Sequence, residues 1–193
     1  TILTGSLNLT GSLSQVGSYV RVGDTVLTGS LYLTGSLYVE GKKQFNKGQY
    51  YSTEIQISSG SNVQNSVRLG SSSFEQGMTA NAGGKITIAN AGWYNIQFSA
   101  QLHLTTPGDT DVYAWFRKNG TNIDDSNRMV SIERTTGGGK KVASWNYMLQ
   151  VDDNDDVDIQ WCASNPDTEF YYEVASGAPV KPAVPSVIIT ITQ

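Results

Sequence analysis

A single cysteine, Cys162, in 193 residues leaves the chain unable to build an intrachain disulfide framework or a thiolate metal cluster. Charge is scarce as well: 16% of residues are charged and the net charge is −4. Phosphate contacts demand clustered Lys and Arg, and no basic stripe runs through the chain, so nucleic acid is excluded as a partner. No run approaches the roughly 18 apolar residues that a membrane helix needs, and no basic start followed by an apolar stretch marks a secretion signal. What is abundant instead is Gly (20 residues), Tyr (10), Trp (4), Ser, Thr and Val, a composition that favours strands over helices. The length suits one ordinary domain with a real core plus an extended appendage.

The appendage announces itself as a repeat. Gly falls at positions 5, 11, 17, 23, 29, 35 and 41, an unbroken spacing of six. The unit reads Leu-Thr-Gly-Ser-Leu-x, clearest over 3–14 and 27–38. Leu7 and Leu9 lie two apart, as do Leu31 and Leu33, so in an extended chain each pair shares one face while Asn8 or Tyr32 points the other way. Between the pairs the Gly-Ser step turns the corner. In the middle hexads Gln15 and Arg21 take Leu positions, and the apolar pair moves to Val20 and Val22. A unit this short cannot bury its own apolar face, so it must stack on copies along one chain or between three chains. The three-chain, intertwined triple β-helix-like stem is favoured, because seven hexads make only about two coils alone and leave the terminal coils poorly covered. A stem over 1–44 and a head over 45–193 follow. The chain opens on Thr1, already inside a repeat, so it is expected to be the C-terminal part of something longer, with any attachment domain outside this stretch.

Beyond Phe45 the period stops, and short alternating segments separated by Gly, Asn, Asp and Pro clusters take over. They predict strands near 55–57, 66–69, 85–89, 93–104, 111–118, 129–134, 142–151, 157–163, 169–174 and 186–192. In 93–104 the residues Tyr94, Ile96, Phe98, Ala100, Leu102 and Leu104 share the face expected in a sandwich core, and Trp93, Asn95, Gln97, Ser99, Gln101 and His103 share the other. Trp145, Tyr147, Leu149 and Val151 alternate likewise, as do Val157, Ile159 and Trp161, so the aromatic content is expected largely in the core rather than on a sugar platform.

Ala91-Gly92-Trp93-Tyr94-Asn95-Ile96, Phe116-Arg117-Lys118-Asn119-Gly120, Leu149-Gln150-Val151 before Asp155-Asp156-Val157, and Pro185-Ser186-Val187-Ile188-Ile189-Thr190 resemble, in order and spacing, the jelly-roll heads of the complement-head and tumour-necrosis-factor superfamily. Asn154 and Asp155 stand where that family has Gly-Asp. The stretch from Gln49 to Gln193, above all Tyr94 to Leu102 and Pro185 to Ile188, is similar to the head module of phage virion and tail-fibre proteins. The resemblance implies an all-β, homotrimeric fibre protein on the phage particle surface, joined to other virion proteins through a missing N-terminal region: a β-stem carrying a jelly-roll β-sandwich head that attaches to a host surface glycan or protein. The alternative is a capsid, neck or baseplate decoration or spacer with purely structural contacts. Specificity is expected in loops 105–111, 120–128, 135–141 and 164–168.

No catalytic, cofactor or metal residues are assigned, and the chain is read as no enzyme. Catalysis needs a base, a nucleophile or paired carboxylates in a pocket, and His103 stands alone on the polar face of its strand, where a hydrogen-bonded role is expected. Cys162 is expected as a small packing residue. The run Asp152, Asp153, Asp155, Asp156 and Asp158 has the hard oxygens that calcium takes, but it lacks the Gly and the terminal Glu of a helix-loop-helix site. A solvated hairpin accounts for the same residues, with calcium as the second reading. Asn119-Gly120 reads as a hairpin turn.

Overall fold

The computed structural model describes residues 2–4, 20–22, 46–134 and 139–193. The chain divides into two compact units, Thr1–Lys42 and Lys43–Gln193. In the first, β1 (Ile2–Thr4) pairs in parallel with β2 (Val20–Val22), with Ile2 opposite Val20 and Thr4 opposite Val22. Partners therefore stand eighteen residues, or three hexads, apart in one chain. Apart from these six residues, the intertwined three-chain stem expected over 1–44 lies outside the described residues. The repeat glycines and Leu7, Leu9, Leu31 and Leu33 lie outside the described residues.

Among the described residues the second unit has sixteen strands: β3 (Lys47–Ser52), β4 (Gln56–Ile57), β5 (Asn65–Ser66), β6 (Ser71–Gln76), β7 (Met78–Ala80), β8 (Ile86–Ile88), β9 (Gly92–Leu104), β10 (Gly108–Lys118), β11 (Thr121–Asn122), β12 (Arg128–Arg134), β13 (Gly139–Val151), β14 (Asp155–Ala163), β15 (Thr168–Phe170), β16 (Ser176–Gly177), β17 (Val180–Lys181) and β18 (Val187–Thr192). Two seven-stranded sheets face each other. Sheet I runs β4-β15-β9-β18-β3-β6, with β13 along β9. Sheet II runs β11-β10-β14-β8-β7, with β12 on β10 and β5 on β14. Alternation decides what lies between them. Tyr94, Ile96, Phe98, Ala100, Leu102 and Leu104 of β9 are buried, and so are Ile159 and Trp161 of β14. Phe98 meets Trp145 at 4.5 Å between ring centroids, and Trp161 stacks on Phe170 at 4.2 Å.

All ten predicted strands have counterparts. The predicted 66–69 segment meets β5 only at Ser66, and 169–174 meets β15 only at Glu169 and Phe170. The strands β3, β6 and β7 and the two-residue strands β11, β16 and β17 were not anticipated. In β6 the sequence Ser-Ser-Ser-Phe-Glu-Gln shows no apolar alternation because the strand is an edge with both faces largely open. The loop predicted over 105–111 is shortened, since β10 begins at Gly108.

Candidate interaction surfaces

Each sheet turns one face away from the core, and the two outward faces differ in charge. On sheet II the outward positions of β10, β12 and β14 include Asp111, Arg117, Glu133 and Asp158. Three of these are tied within the chain: the Arg117 guanidinium donates to Asp158 Oδ2 through Nε (3.0 Å) and Nη2 (2.7 Å), and Ser131 Oγ donates to Asp111 Oδ1 at 2.5 Å. Cys162 lies on this face opposite Tyr113, half-buried. Burial pushes its thiol up, which keeps it in the unreactive protonated form.

Sheet I presents something else. Register places Gln150, Met148, Asn146, Ser144 and Val142 of β13 beside Trp93, Asn95, Gln97, Ser99 and Gln101 of β9. Next come Ile188, Thr190 and Thr192 of β18, then Tyr51, Gln49 and Lys47 of β3. Lys47 is the one charge among them. Trp93 is 58% exposed, Met148 53% and Val142 59%, with Ile188 on β18 and Phe74 on β6 also open. A face with neutral polar groups at its centre, large apolar side chains around them and charge confined to its margins has the composition of a protein–protein contact.

At one end of that face, Lys140, His103 and Glu169 stand side by side across β13, β9 and β15. His103 Nδ1 lies 2.8 Å from Glu169 Oε1, its ring meets Tyr171 edge-on at 5.4 Å, and Lys140 Nζ sits 3.6 Å from the centre of the Tyr171 ring. The expected hydrogen-bonded histidine is thus a paired one.

The acidic run forms the β13–β14 turn, and its carboxylates are used by the chain. Asp155 Oδ1 accepts from Asn119 Nδ2 at 2.6 Å, and Asp155 Oδ2 accepts from Asp152 N at 2.7 Å. The backbone N–H of Asp152 and the Asn119 amide hold the Asp155 carboxyl below its ordinary value. Asp156 accepts from Thr87 Oγ1 (2.6 Å) and Lys85 Nζ (3.0 Å), which lower it likewise, and Asp153 accepts from Ala91 N at 2.6 Å. Asn119 and Gly120 have φ of 51° and 78° and join Lys118 to Thr121 as a two-residue hairpin.

The exposed residues Val142, Met148, Ile188 and Phe74 were not singled out from sequence. The available signal was phase: Val142 and Met148 fall on the positions that alternate with Trp145 and Tyr147. Of the predicted loops, 135–138 lies outside the described residues, while Thr105 and Thr106 are tied to Asp167 by hydroxyl hydrogen bonds at 2.9 Å each, which joins loops 105–107 and 164–167 at one end of the sandwich.

Two facing antiparallel sheets with this order define a jelly-roll sandwich of the tumour-necrosis-factor type. Murine APRIL, solved at pH 8.5, is one structure to which the chain is similar: the TM-score is 0.50, and the match covers 78% of this chain and 100% of that one at 8% identity, a likeness of fold. No family model matches the chain. No curated protein matches it.

Proposed function

We propose that the chain is a non-enzymatic structural protein of a tailed-bacteriophage fibre, located on the virion, whose head forms a homotrimer and attaches to a host surface glycan or protein. The observation that carries the reading is the outward face of sheet I, with Trp93, Met148 and Val142 each more than half exposed and its charges confined to Lys47 and to Lys140 and Glu169 at one end. A monomer would leave that apolar area in water, and self-association covers it. The virion assignment draws on the likeness of Tyr94 to Leu102 and Pro185 to Ile188 to phage head modules. Binding without turnover fits the chemistry: His103 is bonded to Glu169, and the carboxylates of the β13–β14 turn are bonded to neighbouring donors.

Adsorption tests the attachment reading. Purified protein should bind host cells and compete with whole phage. Replacing loops 105–107 and 164–167 should reduce adsorption with folding intact, whereas Phe98→Ala should reduce it only as far as it unfolds the head. If folded loop variants all adsorb like the parent and the head never binds cells, a structural spacer role replaces attachment.

A further inference from the structure

We propose that the rim where β4 of sheet I approaches β5 of sheet II binds a carboxylate-bearing sugar unit, a hexuronate in chemical class. The inference deepens the attachment reading and rests on it for biological role, though not for the binding itself. The cavity there measures about 290 Å³ and is lined by Ile57, Asn65, Ser66, Arg68 and Trp161 along with Gln56. That is near the lower end of small-ligand sites, the size class of one sugar ring.

The local chain builds it as follows. Both β4 and β5 are edge strands of two residues, so neither sheet closes the rim. Gln56, 1% exposed, spans the rim: its side chain accepts from Arg68 N at 2.8 Å and donates to Arg68 O at 3.0 Å. These two bonds fix the Arg68 backbone and leave its side chain at the opening, about half exposed. The guanidinium is only loosely engaged, with Nε 3.7 Å from Glu54 and Nη2 3.5 Å from the Ile55 carbonyl. Trp161 lines the cavity and is 1% exposed, and its Nε1 has no hydrogen-bond acceptor among the described residues. Ser66 Oγ is occupied by Gln160 Nε2 at 3.0 Å, whereas Asn65 Nδ2 gives one of its two hydrogens to Val63 O at 2.7 Å.

The surplus is therefore one of donors: the remaining Asn65 hydrogen and most of the Arg68 fork, with the unpartnered indole N–H itself buried. Arg68 is the one charged residue among those lining the cavity, and its planar fork matches a carboxylate. Ile57, 64% exposed, offers an apolar surface for the C–H face of a ring. A ligand rich in acceptor oxygens, singly anionic and apolar on one face satisfies all of these at once. Neutral sugars lack the charge, and small carboxylates lack the ring.

The test is a titration of the uniformly 15N-labelled full chain with D-glucuronate, read at the Trp161 indole N–H, with D-glucose and acetate as controls. The expected result is a saturable shift of that resonance with glucuronate, at least about tenfold weaker with either control, and a loss of at least about tenfold in Arg68→Gln. Arg68 is exposed, so the variant should keep its spectrum. No saturable shift with glucuronate overturns the proposal, as does undiminished binding by Arg68→Gln or equal affinity for glucose. The titration uses no host cell, so failure of attachment and failure of this site are read separately.

Discussion

Asn119 does two things with one side chain. Its left-handed backbone makes the β10–β11 hairpin, and its amide bridges to the next turn, donating to Asp155 Oδ1 and accepting from Asp156 N at 2.9 Å. Asn119→Ala therefore loses both bonds and strains the backbone, and should cost about 2 kcal/mol in urea unfolding. Asn119→Gly relieves the strain, loses only the bonds, and should cost about half as much. The same turn sets an acid limit. The folded values of Asp155 and Asp156 are lowered from 3.8, so their contribution is fully present above that value and is lost as pH falls through the lower folded value. A melting temperature followed from pH 6 down to about pH 2 should hold level on this account until near pH 4 and then fall. Asp156→Asn should flatten that fall; an unchanged acid limb would show that these carboxylates contribute nothing.

Strands differ in how firmly the rest of the molecule holds them. Amides of β9, flanked on both sides by β13, β15 and β18, should exchange slowest, and those of β6, an edge strand exposed along its length, should exchange far faster. Hydrogen exchange read residue by residue checks this, with Phe98 and Phe74 as reporters. The same difference explains what could be read in the sequence. Long strands with one buried face, such as β9 and β14, write their burial into alternation, so Tyr94 to Leu104 and Val157 to Trp161 were legible as core. Edge strands answer to their neighbours' backbone bonds, and Ser71 to Gln76 carries no such pattern. The open face of sheet I was half legible: Trp93 stood out from its polar companions, but Ile188 and Phe74 join it only through pairing between segments far apart in sequence. The cavity at Arg68 was illegible for the same reason, since Gln56, Arg68 and Trp161 meet only when the two sheets close.

At the scale of the whole molecule, one asymmetry organises the head. Sheet II directs ion pairs outward, and sheet I directs Trp93, Met148, Val142 and Ile188 outward with Lys140, His103 and Glu169 set at one end. Charge on the second face would make association expensive, because a buried lone charge is desolvated without a partner. The central claim is that this face is where copies of the chain meet. Light scattering of the purified chain at micromolar concentration tests it most directly, alongside Met148→Glu and Ile188→Glu. The account predicts a mass of three times 20.9 kDa for the parent and a shift toward the single-chain mass for both variants. A parent that runs as a clean monomer, or a trimer indifferent to both substitutions, would contradict it.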